Sequence, residues 1–131
     1  MFENKLVAVM NKSVEPGKAM NALSHIAVSL GAKIGKQALN VVNYEDKDGN
    51  LYEDISKIPF IVLKANSNKI KNLYRLAKEK GFTFSVFTDT MTIGSWDEQV
   101  QRTKETNHDA LDFWGIVIHG PWDDVAECTK K

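Results

Sequence analysis

The chain has 131 residues, 17 Lys and Arg against 17 Asp and Glu, and a hydrophobic fraction of 43%. That length suits one domain over residues 1–131 with its own buried core, and no apolar run is long enough to span a bilayer. The zero formal charge argues against strong nucleic-acid binding, which rests on neutralising phosphates, and the single cysteine, Cys128, excludes an internal disulfide.

Residues Met1 to Asn11 lack a basic segment followed by an apolar stretch and a cleavage site. No secretory leader is read there, and with one cysteine a cytoplasmic protein is expected. Instead Leu6-Val7-Ala8-Val9-Met10 is a continuous apolar run, the pattern of a strand buried on both faces of a mostly parallel sheet. Pro16 suits the first position of a helix and Gly31 a residue just past its end, so a helix is predicted from Pro16 to Gly31. At about 100° per residue, Ala19, Met20, Leu23, Ile26, Ala27 and Leu30 share one face, the predicted core face. Lys18, Asn21, Ala22, His25 and Ser29 lie opposite, with Lys18 and His25 nearly aligned two turns apart.

Leu39 to Tyr44 reads as a second strand, and the acidic segment after it, with the turn signal Asp48-Gly49, as a surface loop or hairpin. Ile58 to Ala65 is a third strand, Pro59 fitting its start. Asn66 or Ser67 caps a second helix that ends at Gly81, with Ile70, Leu73, Tyr74 and Ala77 inward and Lys71, Arg75 and Lys78 in solvent. Phe82 to Thr88 is a fourth strand, Asp97 to Thr106 a short polar helix, Phe113 to Pro121 a last strand and Trp122 to Cys128 a terminal helical segment. Strands alternating with helices predict a three-layer α/β sandwich, a four- to five-stranded mostly parallel or mixed sheet with helices on both faces.

Three residues carry candidate chemistry. Lys18 at a helix start can hold a phosphate or stabilise an oxyanion, or be a solvated lysine beside a turn. His25 can act as a general base or ligand contact, or pack beside a loop. Asp89, followed by Thr90, Met91 and Thr92 at a strand's C-terminal end, can orient a water or pair with Lys18, or close an Asx-type turn. His108 and His119 have no compact spacing with other ligating residues, so no metal is expected, and without a glycine-rich phosphate loop no cofactor is either. The Lys71/Arg75/Lys78 stripe is a solvated face or, alternatively, the one track an RNA could follow.

Lys5-Leu-Val-Ala-Val-Met10, Pro16-Gly17-Lys18, Ser24-His25, Val86-Phe87-Thr88-Asp89 and Gly115-Ile-Val-Ile-His-Gly120-Pro121 occur in that order. Together they resemble the motifs of the type 2 peptidyl-tRNA hydrolases. The Pro16, Gly17, Asn21, Ala22 pattern and the Met91 to Arg102 segment are more similar still to an uncharacterised bacterial family of that superfamily. The resemblance implies an α/β fold of that kind, a homodimer, and hydrolysis of an ester such as peptidyl-tRNA. It implies Lys18, His25, Asp89 and Thr90 as catalytic residues, and Gly17, Asn21 and Thr92 as ligand contacts. Pro16 and Ala22 stand where the hydrolases carry a lysine and a glutamine, and Thr90 to Gly94 differs from their Ala-Gly-Arg-Thr-Gln. These departures and the zero charge suit a second reading: a non-catalytic dimeric module that binds a small anionic ligand or a protein partner in the same cleft.

Overall fold

The computed structural model describes residues 2–130. Its element order is β1 (Asn4–Asn11), α1 (Pro16–Ile34), β2 (Val41–Glu45), β3 (Leu51–Ser56), β4 (Phe60–Ala65), α2 (Ser67–Lys80), β5 (Thr83–Thr88), α3 (Trp96–Lys104), β6 (Phe113–Pro121) and α4 (Trp122–Thr129). Short 3-10 turns at Asp89–Met91 and His108–Ala110 flank α3. The main sheet has four strands in the order β4-β1-β6-β5. β1 pairs with β4 in parallel, while β6 is antiparallel to both β1 and β5.

The sheet is thus mixed rather than mostly parallel. The helical crossovers give β1, β4 and β5 one direction, because a chain that returns through a helix enters the next strand at the same end of the sheet. β6 comes last and returns through the middle, between β1 and β5. The continuous apolar run of β1 reflects its central place: Leu6 to Met10 are all buried. Leu6, Ala8 and Met10 pack with Ala22, Ile26 and Leu30 of α1 on one face. Val7 and Val9 pack with Ile70, Leu73 and Ala77 of α2 and Val125 of α4 on the other.

Two details of α1 differ from the sequence pattern. Ala22, assigned to the polar side, is fully buried, whereas Met20 is 64% exposed. Apolar character spans more than half of this helix, so hydrophobicity leaves its rotation open. Close approach to the sheet selects the small Ala22 side chain, with Ile26 and Leu30 one and two turns on. The helix also passes Gly31 and ends at Gly35, whose φ of +87° places it in the left-handed region open to glycine. An interior glycine costs about 1 kcal/mol relative to alanine. Ile34 packing against the core and Lys33 bonding to β5 offset that cost.

The second predicted strand does not join the main sheet. β2 pairs with β3 in a separate two-stranded ribbon that crosses from α1 to β4. Its turn is held by Asp46, whose carboxylate accepts from Asp48 N, Asn50 N, Asn50 Nδ2 and Tyr52 Oη at 2.8–3.0 Å. The Tyr52 hydroxyl first, then Asn50, holds the Asp46 carboxyl down to about 2, below its ordinary 3.8. A depressed carboxylate pKa stabilises the folded form above the unfolded value and loses that contribution as pH falls through the folded one. The hairpin turn is therefore expected to loosen between about pH 4 and pH 2. Tyr52 resonances in an NMR titration should report this with a midpoint near 2, and Asp46→Asn should abolish the step.

Helix α3 begins at Trp96 rather than Asp97, because Ser95 and Glu98 form a capping box there. Asn66 caps α2, and Gly81 ends it with φ +71°. No helix among the described residues is long and apolar enough to cross a membrane.

Candidate functional site

Directionality places the C-terminal ends of β1 and β5, and the start of β6, at one end of the sheet. There Asn11, 5% exposed, donates to Phe113 O at 2.9 Å and to Asp112 Oδ1, while its own oxygen accepts from Ser13 N at 2.8 Å. Asp89 belongs to this junction. Its N–H donates to Asp112 O, and its Oδ1 accepts from Asp112 N at 3.1 Å. This long-range contact, in place of a local Asx-type turn, occupies one carboxylate oxygen, and no hydrogen bond to the other is found among the described residues.

Lys18 is exposed at the start of α1. The helix N-terminus beneath it is already capped: the Glu15 carboxylate accepts from Gly17 N at 2.9 Å and Lys18 N at 3.1 Å. These two backbone bonds pull the Glu15 pKa down. A phosphate or oxyanion at Gly17 would have to displace a carboxylate from the same donors. Thr90 is buried, and its hydroxyl is shared between Thr88 at 2.7 Å and Thr103 at 2.8 Å. That pair, with Arg102 donating to Thr90 O and Ile93 O, fastens α3 to the turn after β5.

A broad concavity lies apart from Lys18 and Asp89. A groove of about 1080 Å³ runs between α1, β5 and α3. β5 is an edge strand, paired only with β6. Among the sequence candidates, His25, Asn21 and Thr92 line this groove, whereas Lys18, Gly17, Asp89 and Thr90 do not. His25 is exposed and lies against Phe87, ring centroids 5.9 Å apart and 30° between planes. Thr92 donates to Asp89 O at 2.8 Å. One turn beyond His25, Ser29 Oγ lies 3.1 Å from Ser85 Oγ. One further turn on, the Lys33 ammonium donates to Ser85 Oγ at 2.9 Å and to Phe84 O of β5 at 2.6 Å. Across the groove α3 presents Trp96, Gln99, Val100 and Thr103; Trp96 is 74% exposed.

Lys33, Ser85 and Gln99 were not singled out by the sequence reading. The signal for Lys33 was present, since His25, Ser29 and Lys33 recur at four-residue spacing on one helix stripe. Ending the helix at Gly31 hid it. Nothing local marks Ser85, whose partners come from a distant segment.

The lining of this groove holds Lys33, Lys104 and His25 and no carboxylate. An ammonium offers three donors, and Lys33 has two of them placed on neutral acceptors. Its charge therefore remains available to an anion. Ile26, Phe87, Met91, Trp96 and Val100 supply the apolar part of the lining.

The predicted basic stripe does not adjoin this groove. Lys71, Arg75 and Lys78 belong to α2, which covers the opposite face of the sheet. Arg75 pairs with Glu79 at 2.9 Å, Lys71 donates to Asp109 O, and Lys78 to Tyr74 Oη. Among the described residues no cluster of His, Cys, Asp and Glu could hold a metal ion.

One buried polar group stands apart. His119 in β6, 8% exposed between Leu6 of β1 and Thr83 of β5, has an Nε2 with no hydrogen-bond partner among the described residues. Burial pushes its pKa below the ordinary 6.5. The unfolded chain therefore takes up this proton at a higher pH than the folded one. The contribution of neutral His119 is whole above pH 6.5 and declines as pH falls below that value. Melting temperatures measured from pH 7.5 downward should show this decline, and His119→Leu should remove that part of the slope.

The chain is similar over 99% of its length to a solved structure, a protein of unknown function from Agrobacterium tumefaciens strain C58, at 19% identity and a TM-score of 0.84. The match covers 96% of that protein, and at this identity it speaks for the fold. No curated protein matches the chain. A family model, described as protein of unknown function (DUF2000), matches residues 4–131. The likeness to an uncharacterised family read from Pro16, Gly17, Asn21 and Ala22 accords with that match: the chain belongs to the family of proteins of unknown function designated DUF2000.

Proposed function

We propose that the groove between α1, β5 and α3 binds an organic anion with an apolar, partly aromatic body. One observation carries this reading. In a chain with as many acids as bases, the groove lining contains two lysines and a histidine and no carboxylate. Lys33 anchors the anionic group beside Ser29 and Ser85, and Trp96, Phe87 and Val100 enclose the body. Ligand sites commonly combine an apolar lining with a few convergent polar groups in this way. The test is titration with 8-anilinonaphthalene-1-sulfonate, an aromatic anion whose emission rises in apolar surroundings. Saturable binding, displaced by a medium-chain carboxylate and weakened in Trp96→Ala and Lys33→Glu, is the expected result. Binding indifferent to both substitutions would overturn it.

Ester hydrolysis of the type 2 peptidyl-tRNA hydrolase kind, with that superfamily's fold, dimeric state and tRNA substrate, is the second reading. What favours it is Asp89 at the C-terminal end of β5, with a carboxylate oxygen free to orient a water, and Lys18 exposed at the start of α1. The Glu15 cap and the position of the basic stripe on the far face weigh against it. Peptide release from peptidyl-tRNA, lost in Lys18→Ala and Asp89→Asn, would establish it.

A further inference from the structure

The β2–β3 hairpin carries an apolar face that its own domain leaves open. Val42 pairs with Ile55 and Tyr44 with Tyr52, so two residues, Glu53 and Asp54, oppose the single Asn43. Cross-strand partners share a face, and so do residues two apart on one strand. Val42, Tyr44, Tyr52 and Ile55 therefore lie on one side of the ribbon, an alignment that Tyr52 and Ile55, three apart, could not reach without the bulge. The bulge requires a non-glycine residue at positive φ, Asp54 at +59°, a conformation that is uncommon for such residues. The result is three large side chains at 56%, 53% and 49% exposure for Tyr44, Tyr52 and Ile55.

A second open apolar surface lies on β4. Its register with Leu6, Ala8 and Met10 puts Phe60, Val62 and Lys64 on the α1 side of the sheet. Helix α1 sits over β5, β6 and β1, so Phe60 and Val62 stay 42% and 55% exposed, with Met20 of α1 at 64%.

We propose that two copies of this chain form a two-fold dimer in which the hairpin of each covers the open face of β4 in the other. The hairpin cannot turn back onto its own β4. Only Lys57, Ile58 and Pro59 separate β3 from β4, with Ile58 buried, Pro59 rigid and Lys57 N bonded to Asn40 O. An isolated two-stranded hairpin is marginal in water, and reciprocal cover by a two-fold axis satisfies both surfaces with one contact made twice. Charge agrees: the segment Glu45 to Asp54 holds five acids and one lysine, and Lys64 and Lys12 are exposed at the end of the β4 surface, where Lys12 N bonds to Ala65 O. Area agrees as well. Met20, Tyr44, Tyr52, Ile55, Phe60 and Val62 at half exposure offer roughly 600 Å² per copy, at the lower end of the ~600–1,000 Å² per partner of a standard stable interface. The proposal is independent of the ligand reading, because the groove flanks α1 on the β5 side and this surface on the β4 side.

The test is light scattering coupled to size exclusion on the full chain and on Tyr44→Glu and Val62→Glu. The wild type should be a dimer at micromolar concentration, and each substitution should raise the dissociation constant by roughly 30-fold or more. Both side chains are exposed, so melting curves should show the variants folded. A second arm, Tyr44→Cys with Val62→Cys in a Cys128→Ser background, should give a disulfide-linked dimer under mild oxidation. A wild-type monomer, a dimer unchanged by both glutamates, or a disulfide formed only within one chain would overturn the proposal.

Discussion

Phe113→Ala is expected to lower the unfolding free energy by about 3–5 kcal/mol, the range for truncating a buried phenylalanine. Phe113 is 2% exposed and among the largest fully buried side chains of the domain. Its ring meets those of Tyr74 and His108 with centroids 5.6 Å away in each case, and it packs with Ile70 and Leu73 of α2. The backbone of this residue survives the substitution: its N–H still reaches Ser67 Oγ, and its carbonyl still accepts from Asn11. The loss is therefore transfer and cavity energy, with no broken junction to add to it. Against a total stability of about 5–15 kcal/mol, that is enough to leave the variant marginal. Urea denaturation should show the midpoint fall with the slope unchanged. A loss below about 1 kcal/mol would mean that the α2-side core closes around the gap. Trp96→Ala, at 74% exposure, should by contrast move stability by no more than about 0.5 kcal/mol.

Lys33→Glu should weaken binding of the anionic probe by about tenfold to a hundredfold. A unit charge about 4 Å from an anion contributes ~1 kcal/mol in water and ~4 kcal/mol at the effective dielectric of a protein surface, and reversal replaces that attraction with repulsion. A factor of ten is about 1.4 kcal/mol. The loss should shrink at high salt, since the groove is open and screened. Lys33→Gln should fall between the two and show little salt dependence, because it keeps a donor for Ser85 while removing the charge. Equal affinity in all three proteins would show that the anion is held elsewhere, with Lys104 the next residue to test.

The element order was largely legible in the sequence because each segment carries its own local reason. Asn66 and Gly81 bracket α2 by capping chemistry. Asp48-Gly49 marks the turn of the ribbon, and the central place of β1 follows from its unbroken apolar run. The candidate site was legible only in part. His25 was found because it lies off the core face, Thr92 because it follows a strand end, and Asn21 through the family resemblance. Asp89 was placed correctly at that strand end, yet its geometry is that of a junction with Asp112, 23 residues away.

What the sequence by itself determined is the alternation of strands and helices, their approximate bounds, and the even balance of charge. These follow from periodicity, capping and turn residues, all of which act within a few positions. Only the tertiary structure decided that β6 returns antiparallel through the centre and that β2 leaves the sheet to pair with β3. It alone decided that Ser29, Lys33 and Ser85 meet in one groove, and that its lining excludes every carboxylate. Such choices depend on contacts between segments tens of residues apart, where close packing against the sheet selects among rotations and pairings that are equally consistent with the local pattern.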